Sequence, residues 1–385
     1  MSTISGAERV GEYDPDPGAT DWAALAKPTL MLPRPDVGGD GDYDDETWCR
    51  EMHKRQVDWE GLAAAIQQRR RLKILERCLS QWPLATIQQY IDTPVGGHSP
   101  AIFYAVERND PDVVRLLLRY GASPLSESSV QKTHIPLLAY TIMHTKYTVY
   151  DCSAVVTTLL AAGAHPESVP KELWARYLEA PSTTTVSSSK RKLVWHEQQR
   201  YRVLLSETLN LTLRYLLYRA SRFREPNTRT RQIAKELDVT ELFKIPYHII
   251  GQTHAAKLVT DHVFSHLTLG IGSSSRPLVM AFAGLSGHGK TELARNMGKL
   301  IGAPITVVNC AIMQTSNALF GPTNGYIGYM DGSQLNNFLA ENSRKRSVVF
   351  LDEFDKIASE CRGSLLMPLS EGKISYYLHR RHRSN

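Results

Sequence analysis

Apolar residues recur every three or four positions over two long stretches of the chain, which predicts amphipathic helices. The first stretch begins at about Trp59 and includes Leu62, Ala65, Ile66, Leu72, Leu75 and Leu79. The second predicts one helix of several turns that ends before Pro226, with its apolar face at Leu205, Leu209, Leu213, Leu216, Leu217 and Ala220. From Ile249 onward, short β-rich runs alternate with helical stretches, which is typical of a parallel α/β sheet.

Between these stretches lies an internal repeat. Pro100 and Pro136 each open a short apolar run, and proline suits the first turn of a helix. Gly121 and Gly163 each follow a Leu-rich run, where a left-handed residue can end a helix. The two units resemble ankyrin repeats, which act by binding other proteins, and this resemblance implies a protein partner. An unrelated array of helical hairpins is the alternative.

The repeat is irregular. Its two glycines lie further apart than the roughly 33 residues of an ankyrin unit, so we expect an inserted loop around residues 126–152. At least about three units are needed to bury a continuous core. Residues 59–95 and 167–180 are therefore expected to pack on as degraded flanking units.

Composition divides the chain further. Residues 1–48 contain 11 Asp and Glu against 3 Lys and Arg, and they are rich in Gly and Pro. Such a segment buries too little apolar surface to offset its ordering entropy, which predicts disorder. A Ser/Thr-rich run after Pro181 predicts a flexible connector that proteases cut first. We therefore divide the chain into five parts. They are an acidic segment (1–55), a repeat region (56–180), a connector (181–190), a helical linker (191–244) and an α/β domain (245–385).

The overall composition excludes several classes of protein. No apolar run approaches the about 20 residues of a membrane-spanning helix, which argues against an integral membrane protein. The five cysteines are far apart and form no CxxC pair, which excludes a zinc ribbon or disulfide scaffold. A reducing compartment is expected, the cytoplasm or alternatively the nucleus. The net charge is +6, but the basic residues are scattered, so no specific nucleic-acid partner is expected.

Residues 284–291 read Gly-Leu-Ser-Gly-His-Gly-Lys-Thr, which fits the phosphate-binding pattern GxxxxGK[ST]. A buried strand is predicted before it at 278–283, and helix formers follow it. The glycines let backbone N–H groups turn toward phosphate oxygens, while Lys290 places a positive charge on the β- and γ-phosphates. Thr291 offers a hydroxyl to Mg²⁺. His288 could suggest a general acid, but this position of the pattern accepts almost any residue. The expected nucleotide contacts here are Gly284, Ser286, Gly287, His288, Gly289, Lys290, Thr291 and Glu292.

A second motif supports the first. Residues 348–353 read Val-Val-Phe-Leu-Asp-Glu, a buried strand that ends in two acids, and a β-like run at 305–308 precedes it. Asp352 is expected to reach the hydration shell of Mg²⁺. Glu353 is expected to orient or deprotonate the attacking water, so it and Lys290 are the predicted catalytic residues. The sequence therefore predicts binding and hydrolysis of Mg²⁺–ATP.

The segment 320–335, from Phe320 to Leu335, is similar to the pore loop of the ClpB-like AAA+ unfoldases. Ile249 and Ile250, in the run Ile-Ile-Gly-Gln, resemble the segment that contacts adenine in that family. The resemblance covers residues 245–373 and implies the large α/β subdomain of an AAA+ ATPase, with a parallel sheet and flanking helices. It also implies hexameric assembly, remodelling of protein substrates, and Tyr326 as the residue that grips the substrate.

The chain also departs from the family pattern. After Lys373 no residue matches the expected sensor strand, arginine finger or helical lid, so the domain is expected to be C-terminally truncated. The alternative function is therefore a nucleotide-binding or ankyrin interaction module without significant hydrolysis.

Overall fold

The computed structural model describes residues 32, 48, 58–95, 99–130, 133–148, 150–181, 195, 198–223, 226–269, 276–321 and 332–372. None of the helices in these ranges combines the length and apolar character that crossing a membrane requires. Most of the acidic segment, most of the connector, and the residues after Gly372 lie outside the described residues, so the expectations of disorder, flexibility and truncation stay predictions.

The N-terminal part is built from helices and one hairpin. Its elements are α1 (Trp59–Gln67), α2 (Leu72–Ser80), α3 (Leu84–Tyr90), α4 (Ala101–Glu107), α5 (Pro111–Tyr120), β1 (Glu127–Val130), β2 (Thr133–Pro136), α6 (Leu137–His144) and α7 (Ser153–Ala162). Two short 3₁₀ turns follow, Pro166–Ser168 and Lys171–Leu173.

The C-terminal part mixes helices with two strands. In chain order it contains α8 (Gln199–Thr208), α9 (Leu211–Arg222), α10 (Thr228–Glu236), the 3₁₀ turn Thr240–Lys244, α11 (Ile245–His248), α12 (Thr253–Leu269), α13 (Lys290–Leu300), β3 (Ile305–Asn309), α14 (Ser316–Phe320), α15 (Gln334–Glu341), β4 (Val348–Asp352) and α16 (Ser359–Glu371).

The predicted glycine caps of the repeat are confirmed. Gly121 ends α5 with φ 115° and Gly163 ends α7 with φ 109°, both left-handed. The two prolines lie one residue earlier than predicted, because Pro100 and Pro136 occupy the N-cap positions of α4 and α6. Both have φ near that of a helix but extended ψ, so each residue directs the chain into the helix that follows.

The inserted region is more ordered than the predicted loop. The strands β1 and β2 pair in antiparallel fashion, with Glu127 opposite Pro136 and Ser128 opposite Ile135. Ile135 is fully buried in the helical core, so this apolar residue anchors the hairpin. Burial of an apolar side chain stabilises a two-stranded ribbon that would be marginal in water alone.

The single helix predicted around 205–220 was wrong, because the structure divides it into α8 and α9 at Leu209 and Asn210. The Asn210 side chain accepts a hydrogen bond of 2.9 Å from the Leu213 backbone N–H. Asparagine at this position satisfies a free donor of the first turn, which favours a new helix start over a continued helix. Apolar periodicity persists across the break and so hides it.

The strand predicted at residues 305–308 and the strand predicted before the two acids Asp352 and Glu353 are both present, as β3 and β4. β3 and β4 pair in parallel, and Asn309 at the end of β3 lies opposite Asp352 at the end of β4. The predicted buried strand at 278–283 was wrong. This stretch is assigned no strand, and in the described part of the chain the sheets contain only β1–β2 and β3–β4.

Side chains along the stretch 278–283 nevertheless alternate between packed and exposed positions. Leu278, Met280 and Phe282 pack against a buried cluster, whereas Val279 is 53% exposed. Because no described strand pairs with it, only one of its faces is covered. The apolar composition of this stretch predicted burial of both faces, and that prediction was wrong.

In the described part of the chain, buried residues form three clusters. The largest, the helical core, extends from Leu32 to Ala220 and so includes α8 and α9 together with the repeat helices. The second joins α10, α12 and α13, and Val348 of β4 packs against it. The third covers the other side of the strands, between Val308, Leu335 and Leu365. The two strands therefore lie between α13 on one side and α15 and α16 on the other.

Candidate functional site

The phosphate-binding pattern forms a tight turn at the start of α13. Gly284, Gly287 and Gly289 all have positive φ, at 148°, 80° and 76°, which glycine adopts without steric cost. A Cβ atom built on Gly284 or Gly287 would meet nothing within 4 Å, so the space above the turn is open. An open turn at a helix N-terminus presents backbone N–H groups to an anion.

Lys290 is folded back over this turn. Its Nζ donates hydrogen bonds to the carbonyl oxygens of Gly284 at 2.8 Å and Leu285 at 2.6 Å. Both acceptors are neutral, and a phosphate oxygen is a stronger acceptor for an ammonium group. The contact therefore holds the charge of Lys290 inside the turn, where a bound phosphate could take it over.

His288 contributes to the shape of the same turn. Its Nδ1 lies 3.2 Å from the carbonyl oxygen of Leu285 and 3.0 Å from that of Ser286. Because both neighbours are acceptors, Nδ1 is the protonated nitrogen that donates. The sequence pattern allows any residue here, so this bracing role was missed.

The other predicted contacts on this helix face solvent. Thr291 and Glu292 are exposed on the first turn of α13, and Ser286 is exposed in the loop. The Glu292 carboxylate accepts a hydrogen bond of 2.7 Å from Asn296 Nδ2, one turn further along α13. Thr291 and Glu292 therefore lie at the mouth of the turn and are accessible to a ligand.

Asp352 ends β4 and is connected to α13. Its Oδ2 lies 3.6 Å from Nη2 of Arg295, and the Asp352 side chain is 23% exposed. Arg295 lies just over one turn after Thr291 on the same helix, so this ion pair links the acidic strand end to the phosphate turn. Sequence reasoning missed Arg295, although its place one turn after the motif was a signal.

Glu353 adopts an unusual backbone conformation. It has φ 54° and ψ 41°, the left-handed region, which a non-glycine residue adopts at a cost of about 1–3 kcal/mol. Its Oε1 lies 3.0 Å from Nζ of Lys356, three residues later. The hydrogen bond to Glu353, together with the charge of that carboxylate, raises the pKa of the exposed Lys356 ammonium. Like Arg295, Lys356 contacts a carboxylate of the predicted site, and sequence reasoning gave it no role there.

A cysteine lies close to this acidic end. Cys310 follows β3 and is fully buried, and burial together with the charge of Asp352 raises the pKa of its thiol to about 11. The thiol is therefore uncharged near neutral pH. It can fill the space beside Asp352 but does not supply a charged group to the site.

The two predicted adenine contacts occupy different environments. Ile249 is 7% exposed, and a Cβ atom built on Gly289 would lie 3.7 Å from its Cγ2 atom, so it borders the phosphate turn. Ile250 is 72% exposed. Tyr326 lies outside the described residues. The structure thus brings Ile249 to the phosphate turn and leaves Ile250 in solvent.

The residues present fit Mg²⁺–ATP. The open glycine turn and the Lys290 ammonium suit phosphate, whereas the Thr291 hydroxyl and Asp352 carboxylate are the oxygen ligands that Mg²⁺ prefers. Among the described residues, no group of three or more His, Cys, Asp and Glu could hold a metal alone. A metal at this site would therefore depend on the nucleotide for further oxygen ligands.

Comparison with known proteins supports the same interpretation. Residues 280–383 match the profile of the AAA domain (dynein-related subfamily), a range that contains both the phosphate turn and β4. The C-terminal part of the chain is therefore similar to AAA domains.

The relatives of this part are chaperones. The chain is 34% identical over 134 residues to a probable chaperone protein ClpB 1 of Chlorobaculum tepidum, covering 33% of this chain and 30% of that protein. It is 34% identical over 134 residues to chaperone protein ClpB of Bacillus cereus, covering 33% and 15%. It is 31% identical over 150 residues to ClpB of Prochlorococcus marinus, covering 37% and 17%. The chain thus spans between 15% and 30% of the lengths of these relatives.

Proposed function

We propose that the AAA domain of this chain binds Mg²⁺–ATP and hydrolyses the bond between the β- and γ-phosphates. The observation that carries the proposal is the link between the two motifs. The glycine turn opens at the start of α13, and the same helix contacts Asp352 through Arg295 at 3.6 Å. An anion cradle and a metal-binding carboxylate on connected elements are the two parts that this chemistry needs.

In the proposed mechanism Lys290 leaves the carbonyl oxygens of Gly284 and Leu285 and binds the β- and γ-phosphate oxygens. Thr291 and Asp352 would hold Mg²⁺, which neutralises charge on the phosphates. Glu353, freed from Lys356, orients a water molecule for attack on the γ-phosphorus. The water oxygen forms the new P–O bond, ADP leaves with the electron pair of the broken bridging bond, and the water proton passes to Glu353 and then to solvent.

Two substitutions separate binding from hydrolysis. Lys290→Ala is expected to remove most Mg²⁺–ATP binding, measured by nucleotide titration. Glu353→Gln should keep binding but reduce steady-state turnover by about 10²–10⁴, the contribution typical of a general base. Asp355→Asn, an exposed carboxylate two residues further on, is the matched control and should change neither quantity. Identical titrations for Lys290→Ala and the unaltered chain would contradict the proposal.

A second function, nucleotide binding without turnover, is favoured by the contacts of the acidic pair. Glu353 contacts Lys356 at 3.0 Å and Asp352 contacts Arg295, so both carboxylates are engaged by basic side chains. If Lys290→Ala removes binding while Glu353→Gln leaves a negligible turnover unchanged, this second function is the correct one.

The repeat region and the pore-loop resemblance both point to binding of other proteins. We propose that the helix pairs α4–α5 and α6–α7 are ankyrin repeats that dock a protein partner, because each pair ends at a left-handed glycine. From the resemblance to ClpB we also propose a homo-oligomer and the remodelling or unfolding of protein substrates through Tyr326. In the same turnover assay, an unfolded model protein should stimulate the unaltered chain but not Tyr326→Ala.

A further inference from the structure

A single buried arginine connects the helical core to the segment beside the phosphate turn. Arg219 lies on α9 and is 9% exposed. Its Nε donates to the carbonyl oxygen of Pro246 at 3.3 Å, and its Nη1 donates to Oγ1 of Thr253 at 2.6 Å. The two acceptors lie at the two ends of the segment 246–253. One guanidinium group therefore holds both ends of this segment at once.

The guanidinium also lies over one aromatic ring. Its Cζ lies 4.9 Å from the ring centroid of Phe223, and Phe223 in turn contacts Tyr247, with ring centroids 6.4 Å apart. Because Tyr247 belongs to the segment and packs against the helical core, the arginine lies within a continuous contact between the two. A planar cation stacked on a ring has little freedom to move.

The segment held in this way borders the phosphate turn. Ile249 lies between the two anchored ends, is almost fully buried, and reaches to 3.7 Å from the Cβ position of Gly289. A shift of the segment by about an ångström would move Ile249 relative to the turn, and sites tolerate such shifts poorly. In the described structure Arg219 contacts neither Lys290 nor the glycines of the turn. It can therefore affect the site only through the position of the segment 246–253.

The position of Arg219 is itself set by the helical core. Leu213, Leu216 and Leu217 of α9 are buried among the repeat helices. A second connection lies nearby, since Glu241 is 3.1 Å from Arg115 of α5 and 2.7 Å from Lys244. Lys244 immediately precedes α11, so the repeat region reaches the same segment by two routes.

We propose that Arg219 is a positioning residue for the nucleoside end of bound ATP, through which the helical core sets nucleotide affinity. This rests on the proposed function, because it deepens the role of the same site. The proposed phosphate site is the glycine turn, and Ile249, the adenine contact that the resemblance implies, borders this turn at Gly289. Loss of Arg219 should therefore weaken ATP selectively and leave the binding of a bare polyphosphate unchanged.

The test compares two ligands on the full chain. Mg²⁺–ATP and Mg²⁺–tripolyphosphate, which has no nucleoside, are titrated against Arg219→Ala, Arg219→Lys and the unaltered chain. Arg219→Ala is expected to weaken ATP binding about tenfold, because the segment that carries Ile249 loses both of its anchoring hydrogen bonds, with tripolyphosphate affinity unchanged. Arg219→Lys, which can reach one acceptor only, should give an intermediate loss. Arg222→Ala, an exposed arginine on the same helix, is the control and should change neither affinity.

Each outcome of these titrations either supports or overturns the role of Arg219. Equal weakening of both ligands by Arg219→Ala, or no weakening of ATP, would overturn the inference while leaving the proposed function intact. Failure of the unaltered chain to bind either ligand would overturn the proposed function as well. If Arg219→Ala does not fold, Thr253→Val removes the 2.6 Å hydrogen bond with little change of shape. It should weaken ATP a few-fold and spare tripolyphosphate, and an unchanged ATP affinity would overturn the inference.

Discussion

At the scale of single residues, the Glu107 carboxyl group is largely enclosed beside the helical core, with its side chain 13% exposed. Its Oε1 accepts hydrogen bonds from the Tyr140 hydroxyl at 2.5 Å and from the Leu32 backbone N–H at 2.9 Å. His144 Nε2 lies 3.8 Å from the same oxygen. Leu32 and Trp48, the described residues of the acidic segment, are both buried in the helical core. The acidic segment therefore contributes two apolar contacts, and its main chain reaches a buried carboxyl group.

His144 should make stability depend on pH. Burial lowers its pKa from 6.5 to about 4, so between these values the unfolded chain binds a proton that the folded chain does not. The free energy of unfolding therefore falls as the pH falls through this window, by up to about 3 kcal/mol. Burial raises the pKa of Glu107, which acts in the opposite direction. Comparison with a variant that keeps Glu107 isolates the effect of the histidine.

The measurement is urea unfolding at a series of pH values between 7 and about 4. His144→Gln should lose less stability on acidification than the unaltered chain. His134→Gln, whose side chain is 70% exposed, is the control and should follow the unaltered chain. Parallel curves for His144→Gln and the unaltered chain would show that His144 does not titrate in this way.

At the scale of elements, glycines with different backbone conformations should respond in opposite ways to the same substitution. Gly121 ends α5 with φ 115°, a conformation that side chains rarely adopt. Gly121→Ala should destabilise the end of α5 by about 1–2 kcal/mol because of this backbone strain. Gly363 lies inside α16, and an added Cβ atom would meet nothing within 4 Å.

Gly363→Ala is therefore the matched control and should stabilise α16 by up to about 1 kcal/mol. Amide hydrogen exchange reports each helix separately, which avoids assuming that the whole chain unfolds in one step. Exchange in α5 should accelerate in the first variant and exchange in α16 should slow in the second. A slower exchange in α5 would contradict the strain argument.

At the scale of the whole molecule, the connector divides a single core. Leu173 and Trp174 precede it and Tyr201 and Leu205 follow it, yet all are buried in the helical core. Arg202 crosses the same boundary, with its Nη1 2.8 Å from Glu172 Oε1. The Ser/Thr-rich composition predicted a linker between separate parts, whereas packing joins the helices on both sides.

This shared core changes what proteolysis should show. A cut in the connector should give two fragments that stay associated, because separation would expose the buried side chains of α8 and α9 to water. After limited digestion the fragments should co-elute on size exclusion, and they should separate when the same digest is run in concentrated urea. Elution of a free N-terminal fragment without denaturant would show that the core is not shared.

Features that depend on neighbouring residues could be predicted from the amino-acid sequence alone. The glycine turn before α13, the caps at Gly121 and Gly163, and the strands β3 and β4 all follow from local conformational preference. Local rules work at these places because glycine alone adopts these backbone angles readily, and because a short β-branched run favours extended chain. The predicted use of these residues for nucleotide binding stays a prediction.

Contacts between residues that are distant in the sequence became evident only from the three-dimensional packing. Arg295 reaches Asp352, and Arg219 reaches Pro246 and Thr253, and no sequence pattern predicted these pairs. Among the described residues, no strand pairs with the run at 278–283, which stays half exposed although its composition predicted burial. Pairing and burial depend on what lies across the interface, and a periodic pattern shows only which face of an element is apolar. The partners on that face are set by packing between elements far apart in the chain.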